Sequence, residues 1–262
     1  MMAEAYGKLT GRPGICFVTR GPGATNAAPG LHIAAQDSTP MILFAGQVGR
    51  GMLEREAFQE IDFRAVFGSI AKWVVEVDDP ARLPELVSRA FRVAMQGRPG
   101  PVVIALPEDM LTETAAVADA PRVEPAEIWP APDVMARFYE MLAAAERPIA
   151  ILGGSRWSAE ASASFMRFAE SCDLPVGCSF RRAHLFSADH PNFVGDVGIS
   201  PNPVLADRIK TADLVLLLGG RLSEMPSSAY TLLDVPMPCQ SLVHVGSRSE
   251  ERRVGKECRS RW

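Results

Sequence analysis

The sequence is short of several features that would assign a protein to a specialised class. No apolar stretch approaches the ~20 residues of a membrane-spanning helix, and the start, MMAEAYGKLTGRPG, lacks the pattern of a secretory signal. Five cysteines without CxxC spacing and four histidines without ligand spacing argue against a metal site or a disulfide framework, and favour buried free thiols in a reducing cytoplasm. The net charge of −4 argues against nucleic-acid binding. What is left is ordinary globular composition over 262 residues, enough for two domains.

The last fifteen residues differ in character from the rest. The run RSEERRVGKECRSRW, residues 248–262, contains six basic and three acidic residues, so the remainder of the chain carries a net charge of −7. A solvated basic tail that contacts nucleic acid is one interpretation. The run also resembles the in-frame translation of a sequencing-library adapter, and on that interpretation it is excluded from the fold. The protein-coding message would then stop near Val245, and the chain would be a fragment.

Short apolar runs alternate with amphipathic segments in the first half of the chain. Buried strands are predicted at 14–19, 40–48, 71–77 and 101–107. Between the last two, apolar residues recur at three- and four-residue steps, which predicts an amphipathic helix with Pro80 near its start. Strands separated by helices predict a parallel, doubly wound sheet, here assigned to residues 1–111.

A change of composition separates this pattern from a second one. Residues 112–132 are rich in Ala, Pro and acidic side chains without a period, which predicts an extended interdomain linker. The strand–helix alternation then restarts, with ADHPNFVGDVGISPNP predicted as a loop. We predict a second doubly wound α/β domain over 133–247. Its predicted strands are 147–154, 174–179, 212–221 and 241–245.

The stretch TRGPGATN, residues 19–26, follows directly on an apolar run and predicts a strand-to-helix turn. Open α/β sheets bind their ligands at such turns. The glycines permit close backbone approach, and Asn26 both donates and accepts hydrogen bonds. Gly-Pro-Gly by itself is a common structural turn, so this stretch alone does not identify a site.

Other polar residues have local explanations. Gln47 ends a predicted strand, where it is expected to satisfy nearby backbone. Glu54, Glu56 and Glu60 are interpreted as alternating charge on a solvated segment rather than as acid–base catalysts.

Four segments in order, MAEAYGKLTGRPGICFVTRGPGATN, DSTPMILFAGQV, REAFQEIDF and GRPGPVVIALPEDM, closely resemble the pyrimidine-binding domain of thiamine-diphosphate-dependent enzymes. Within that family they are most similar to the acetolactate synthase large subunit. Over 133–245 the resemblance rests on fewer residues and implies a Rossmann-like middle domain. Those residues are the Gly-Gly pair at 153–154, DHPNFVG at 189–195 and ADLVLLLGGR at 212–221.

The resemblance implies a role for individual residues. Pro22 and Gly23 would lie against the aminopyrimidine ring of thiamine diphosphate, and Asn26 would hydrogen-bond near it. Phe58 and Gln59 would lie at the active-site entrance beside cofactor and substrate. The remaining implied contacts are with FAD, which some relatives bind, and involve Arg98, Gly153, Gly154, Gly219 and Arg221.

The resemblance also implies parts that this chain does not contain. The family's glutamate that activates the pyrimidine ring is expected upstream of the first segment. The domain that holds the diphosphate through Mg²⁺ is expected downstream, so no metal site is assigned to this chain. The active site of the family lies between subunits, which implies a homodimer or tetramer. The substrates implied are small 2-oxo acids such as pyruvate.

Three positions depart from the acetolactate synthase pattern. Ser223 and Met225 replace an acid and a base that help to hold FAD, so the presence of FAD is doubtful, and Gly49 replaces a proline common in the synthases. Two alternatives therefore stay open. One is a related decarboxylase of the benzoylformate or oxalyl-CoA type, and the other is a non-catalytic α/β module that binds a nucleotide or a protein.

Overall fold

A computed structural model of the protein describes residues 1–246. The predicted tail at 248–262 lies outside the described residues. The chain divides into two compact units, the first Met1–Glu127 and the second beginning at Ile128. The boundary falls within residues 113–131, which contain no helix or strand. None of the helices between residues 1 and 246 combines the length and apolar character that crossing a membrane requires.

The first unit is a four-stranded parallel sheet in the order β1-β2-β4-β3. Its strands are β1 (Gly14–Val18), β2 (Met41–Gln47), β3 (Trp73–Glu76) and β4 (Pro101–Pro107). Its helices are α1 (Met2–Thr10), α2 (Gly21–Asp37), α3 (Phe63–Phe67) and α4 (Leu83–Met95). Short 3-10 turns lie at Arg50–Met52, Pro80–Arg82 and Met110–Thr112.

Helices cover both faces of this sheet. On one face α2 and α3 pack against alternate residues of the central strands, with Leu31 and Phe67 fully buried. On the other face α4 packs its apolar stripe, centred on Leu86 and Ala90, against Ile42 and neighbouring residues. The central strands β2 and β4 are buried along nearly their whole length, as expected for strands that are covered on both sides. The doubly wound α/β architecture predicted for this part of the chain is confirmed.

Arg98 holds the end of helix α2. The helix ends at Asp37, and Ser38 follows in the left-handed conformation. The Arg98 guanidinium donates to the Ser38 hydroxyl at 2.8 Å and to the Ala35 carbonyl oxygen at 2.7 Å. The last carbonyl groups of a helix have no partner within the helix and carry partial negative charge. Arg98 therefore caps α2 at the edge of the sheet where the strands begin.

The second unit is a five-stranded parallel sheet in the order β7-β6-β5-β8-β9. Its strands are β5 (Pro148–Leu152), β6 (Val176–Ser179), β7 (Phe193–Val197), β8 (Leu214–Leu218) and β9 (Ser241–Val245). Helices α5 (Pro132–Ala144) and α6 (Ala159–Ser171) pack on one face, and α7 (Pro203–Lys210) packs on the other. A short 3-10 turn lies at Ala183–Leu185. This unit is also doubly wound, as predicted.

Strand β7 corrects the prediction of a loop for ADHPNFVGDVGISPNP. Phe193–Val197 pairs in parallel with β6 at the sheet edge, with a register shift beside Val176 and Gly177. Two features conceal this strand in the sequence. It is only five residues long, and Gly195 interrupts its alternation at a φ of +120°. Helices α1 and α3 were not predicted either, because each carries too few apolar repeats to show a period.

The expectation of buried thiols is correct for one described cysteine and wrong for others. Cys178 on β6 is fully buried, and its burial raises the pKa of the thiol to about 11. Cys172 and Cys239 are exposed, and Cys16 is half-buried. Each of these lies beside an apolar segment, so sequence context alone does not separate a strand interior from a helix end.

Replacing Arg98 tests its role as a cap. We expect Arg98→Ala to lower the free energy of unfolding by about 2 kcal/mol, because hydrogen bonds that involve a charged group contribute about 1.5–3 kcal/mol. Urea unfolding followed by circular dichroism measures the change. Arg92→Ala is the matched control, since Arg92 is an exposed arginine on α4, and a shift within about 0.5 kcal/mol is expected there. Equal stability of the two variants would contradict the capping role.

Candidate cofactor site

The candidate site begins where the strands of the first sheet end. Gln47, the last residue of β2, is only 2% exposed. Its amide oxygen accepts from the Val48 N–H at 2.9 Å, and its amide nitrogen donates to the Ile61 carbonyl oxygen at 3.2 Å and to Glu76 at 3.3 Å. The predicted backbone-satisfying role of Gln47 is confirmed. Gln47 also joins the ends of β2 and β3 to the segment that precedes α3.

The Gly-Pro-Gly of the turn TRGPGATN already belongs to helix α2. The helix begins at Gly21, three residues before its first alanine, Ala24. Pro22 occupies the first turn of the helix, where its missing N–H costs nothing. The Gly21 N–H donates to the Gln59 carbonyl oxygen at 3.0 Å. A Cβ at position 21 would lie 2.8 Å from that same oxygen. Glycine is therefore required at 21, because the segment that carries Gln59 crosses directly over the helix start.

The segment 54–61, named here the β2–α3 loop, is tied to the strand ends at several points. Arg20 donates to the Phe58 carbonyl oxygen at 3.1 Å and forms an ion pair with Glu108, which follows β4. Gly21 binds the next carbonyl, that of Gln59, and Gln47 binds that of Ile61. Three successive strand ends thus contribute to holding this one loop beside the start of α2.

The geometry brings together five of the residues that the sequence singled out. They share the end of the sheet where the strands terminate, and they are Pro22, Gly23, Asn26, Phe58 and Gln59. Pro22 and Asn26 are exposed, and they lie one turn apart on the same side of α2. The Phe58 side chain is 77% exposed, and Gln59 is half-buried.

These side chains fit a flat heteroaromatic ring that carries an amino group. Pro22 and Phe58 offer apolar ring surfaces, while Asn26 and Gln59 offer amides that both donate and accept. Gly23 has an explanation within the fold, since a Cβ there would lie 2.8 Å from the Thr19 methyl group. Its contact with a cofactor stays a prediction. The contact of this group with an aminopyrimidine stays a prediction.

Arg98 is not part of this group. Helix α2 has 17 residues, so about 25 Å of helix axis separates its start from the end that Arg98 caps. The contact of Arg98 with FAD stays a prediction. Within residues 1–246 no group of three or more His, Cys, Asp or Glu side chains is arranged to hold a metal ion.

The glycines of the second unit lie where the strand order of its sheet reverses, beside β5. Gly154 has a φ of +70°, and a Cβ there would overlap the Gly219 carbonyl oxygen. The Gly153 N–H donates to the Leu218 carbonyl oxygen at 2.9 Å, and Trp157 donates to the Gly153 carbonyl oxygen at 2.9 Å.

The loops after β5 and β8 therefore pack against each other, which by itself accounts for glycine at 153, 154 and 219. Arg221 follows them and is half-buried. The flavin contacts assigned to these four residues stay predictions.

Arg20 was not singled out from the sequence, and Glu60 was interpreted, with Glu54 and Glu56, as charge on a solvated segment. That interpretation holds for Glu54 and Glu56, which are exposed, while Glu60 is half-buried and binds backbone. One oxygen of its carboxylate accepts from the Glu54 N–H at 2.8 Å, and the other accepts from the Ala57 N–H at 3.3 Å. Bonds from a side chain to nearby backbone leave no periodic signal in a sequence. The only sequence sign for Arg20 is its place directly before Gly-Pro-Gly.

Comparisons with known proteins identify the family of the chain. The family profile described as thiamine pyrophosphate enzyme, N-terminal TPP binding domain, matches residues 1–66. The profile described as thiamine pyrophosphate enzyme, central domain, matches residues 135–257. Thiamine pyrophosphate is another name for thiamine diphosphate. The two matches occur in the chain order of the two units.

Relatives match over nearly the whole chain. It is 34% identical over 253 residues to the acetolactate synthase large subunit of Parasynechococcus marenigrum, covering 92% of this chain and 40% of that protein. It is 32% identical to the probable acetolactate synthase large subunit of Methanocaldococcus jannaschii, covering 98% and 44%. For the acetolactate synthase isozyme 2 large subunit of Escherichia coli the identity is 30%, covering 94% and 44%. The chain thus spans less than half the length of these relatives.

A solved structure supports the fold. The thiamine diphosphate-dependent 4-hydroxybenzoylformate decarboxylase of Rhodococcus jostii RHA1 superposes with a TM-score of 0.78 at 22% identity, covering 97% of this chain and 49% of that one. At this identity the likeness concerns the fold alone. From the two matching profiles and the relatives that span nearly all of it, the chain belongs to the thiamine pyrophosphate enzyme family.

Proposed function

We propose that the protein is a thiamine-diphosphate-dependent carboligase and lyase of the acetolactate synthase type. It decarboxylates a 2-oxo acid such as pyruvate and joins the product to a second 2-oxo acid. The observation that carries the proposal is the contact between two family segments, in which the Gly21 N–H at the start of α2 binds the Gln59 carbonyl oxygen. Similarity to acetolactate synthase large subunits along 92–98% of the chain supports the choice of reaction.

The residues of this chain then have distinct tasks. Pro22 packs against the aminopyrimidine ring and Asn26 hydrogen-bonds beside it, which fixes the orientation of the cofactor. Phe58 shields the reacting atoms from water, and Gln59 hydrogen-bonds the substrate. When bound, thiamine diphosphate supplies the electron sink for loss of CO₂. Because Pro22, Asn26 and Phe58 are exposed in the single chain, the proposal includes a homodimer or tetramer that completes the site. It also includes Mg²⁺ that anchors the diphosphate outside the described residues.

A second candidate is a decarboxylase that releases its product without ligation, of the benzoylformate or oxalyl-CoA type. Gly49, directly after β2 and Val48, favours this candidate. Its φ is −56°, a value that proline adopts, and a Cβ there makes only ordinary contacts with Asp109. The backbone therefore does not require glycine at 49. Replacement of the synthases' proline by glycine at this strand end is consistent with a change in substrate.

Turnover of pyruvate by the whole protein, with thiamine diphosphate and Mg²⁺ added, tests the proposal. We expect acetolactate as the product. Asn26→Ala and Gln59→Ala should each lower kcat/KM about 10- to 100-fold, the effect of losing one or two hydrogen bonds in the transition state. The thermal midpoint should stay unchanged, since neither side chain is fully buried. Arg92→Ala, an exposed substitution outside the site, serves as the control for activity.

The products separate the candidates. Release of an aldehyde or a formyl thioester from an aryl 2-oxo acid or oxalyl-CoA, with no acetolactate from pyruvate, would favour the second candidate. If the whole protein turns over none of these substrates in the presence of thiamine diphosphate, both enzymatic proposals fail. A non-catalytic α/β binding module would then be the remaining hypothesis.

FAD content provides a further prediction. We expect the whole protein to purify with FAD well below one per chain, because exposed Ser223 and Met225 offer neither the acid nor the base of the synthases. Flavin released by heat and measured by absorbance gives the content. The matched variant is the double substitution Ser223→Asp with Met225→Arg, for which the content should rise. Stoichiometric flavin in the unsubstituted protein would contradict this prediction.

A further inference from the structure

The β2–α3 loop has an unusual backbone. Three of its non-glycine residues have positive φ angles, Glu54 at 62°, Glu56 at 55° and Gln59 at 66°. The left-handed conformation is unfavourable for residues that carry a Cβ. Such residues persist where surrounding contacts impose the conformation, and they concentrate at functional sites. The contacts that hold this loop therefore determine how Phe58 and Gln59 are presented.

The two halves of the loop are held by different groups. The second half is bound from outside, through the carbonyl oxygens of Phe58, Gln59 and Ile61. The first half is bound by the Glu60 carboxylate, whose two oxygens accept from the N–H groups of Glu54 and Ala57. Both bonds engage a charged acceptor, which strengthens them relative to neutral hydrogen bonds.

The hydrogen bonds of the Glu60 carboxylate close a ring of backbone that includes the strained residues. Its bonds reach back six and three positions along the chain, so the backbone between Glu54 and Glu60 closes into a ring that contains Glu56 and Gln59. Glu60 is half-buried. A methyl group in its place would leave the N–H groups of Glu54 and Ala57 without this acceptor, so the left-handed conformations of the first half of the loop would lose these contacts.

We propose that Glu60 is a positioning residue, whose carboxylate holds the β2–α3 loop in the backbone conformation that presents Phe58 and Gln59 to the site. The proposed role of Glu60 in holding the loop rests only on the hydrogen bonds and backbone angles described above. Its effect on turnover rests on the proposed function, in which Gln59 contacts the substrate. Glu60 itself acts through Gln59 and contacts neither cofactor nor substrate.

Amide hydrogen exchange of the 262-residue chain tests the role in the loop. In Glu60→Ala we expect the amides of Glu54 and Ala57 to exchange about tenfold faster or more, since local opening no longer breaks two charge-assisted bonds.

Glu60→Gln retains one accepting oxygen and is the second variant. In that variant the shorter hydrogen bond, from the Glu54 N–H, should be kept. The Glu54 amide should therefore stay protected, and only the Ala57 amide should exchange faster. Glu56→Ala, which removes an exposed carboxylate of the same loop, should change neither amide. Unchanged exchange in Glu60→Ala would overturn the proposal.

A double-mutant cycle in the whole protein tests the effect on turnover. We expect Glu60→Ala to lower kcat/KM for the 2-oxo acid about tenfold and Glu60→Gln to restore part of the loss. In combination with Gln59→Ala, Glu60→Ala should cause a much smaller loss than in the unsubstituted protein, because only its effect on Phe58 remains once the Gln59 side chain is removed. Additive losses would show that Glu60 acts by another route and would contradict the proposal.

The two tests fail separately. If the whole protein lacks thiamine-dependent turnover, the proposed function is wrong, and the exchange rates still decide whether Glu60 holds the loop. If turnover is present and Glu60→Ala changes neither exchange nor kcat/KM, the positioning role is wrong and the proposed function is unaffected.

Discussion

The hydrogen bond from the Gly21 N–H to the Gln59 carbonyl oxygen is the contact on which the candidate site depends. It joins two segments that are 38 residues apart in the chain, the start of α2 and the β2–α3 loop. A side chain at 21 would separate them, because its Cβ would lie 2.8 Å from the accepting oxygen. The Gly-Pro-Gly turn is thus explained by the packing of the fold, and this explanation is compatible with the proposed role of the turn in binding a cofactor. Glycine admits the loop, and proline and asparagine remain exposed beside it.

Much of the fold could be predicted from the sequence, because the central strands are recognisable as short apolar runs. Strands β2, β4 and β8 are largely apolar and buried along nearly their whole length, and such runs, separated by helices, have few alternatives to a parallel sheet. Strand β7 escaped prediction because it has only five residues and Gly195 interrupts its alternation. The other edge strands, β1, β3 and β9, have no interior glycine and were predicted from their apolar residues.

The candidate site was only half predictable, and the division has a physical cause. Residues proposed to contact a ligand, such as Pro22, Asn26 and Gln59, were found through the family segments that contain them. Residues that hold those segments were missed or misinterpreted, as with Arg20 and Glu60. Their contacts are with backbone atoms, and any nearby side chain of suitable length can make such contacts. A hydrogen bond from a charged side chain to a backbone carbonyl or N–H group fixes the position of that side chain. It does not require any particular residue type at the backbone partner, so it produces no pattern in the sequence.

The glycines of the second unit show why the same residue type supports different conclusions in the two units. At 154 and 219 the positive φ angles and the contact between two loops account for glycine completely, so these residues carry no independent information about a flavin. At 21 the contact joins two segments that keep Pro22, Asn26 and Phe58 exposed, the side chains that we propose face an aminopyrimidine. A glycine that permits close packing therefore indicates a binding site only where the packing leaves suitable side chains exposed. That condition is met beside Gly21, with Pro22, Asn26 and Phe58 exposed around it. Beside Gly154, the Trp157 side chain instead donates to the Gly153 carbonyl oxygen of the same loop.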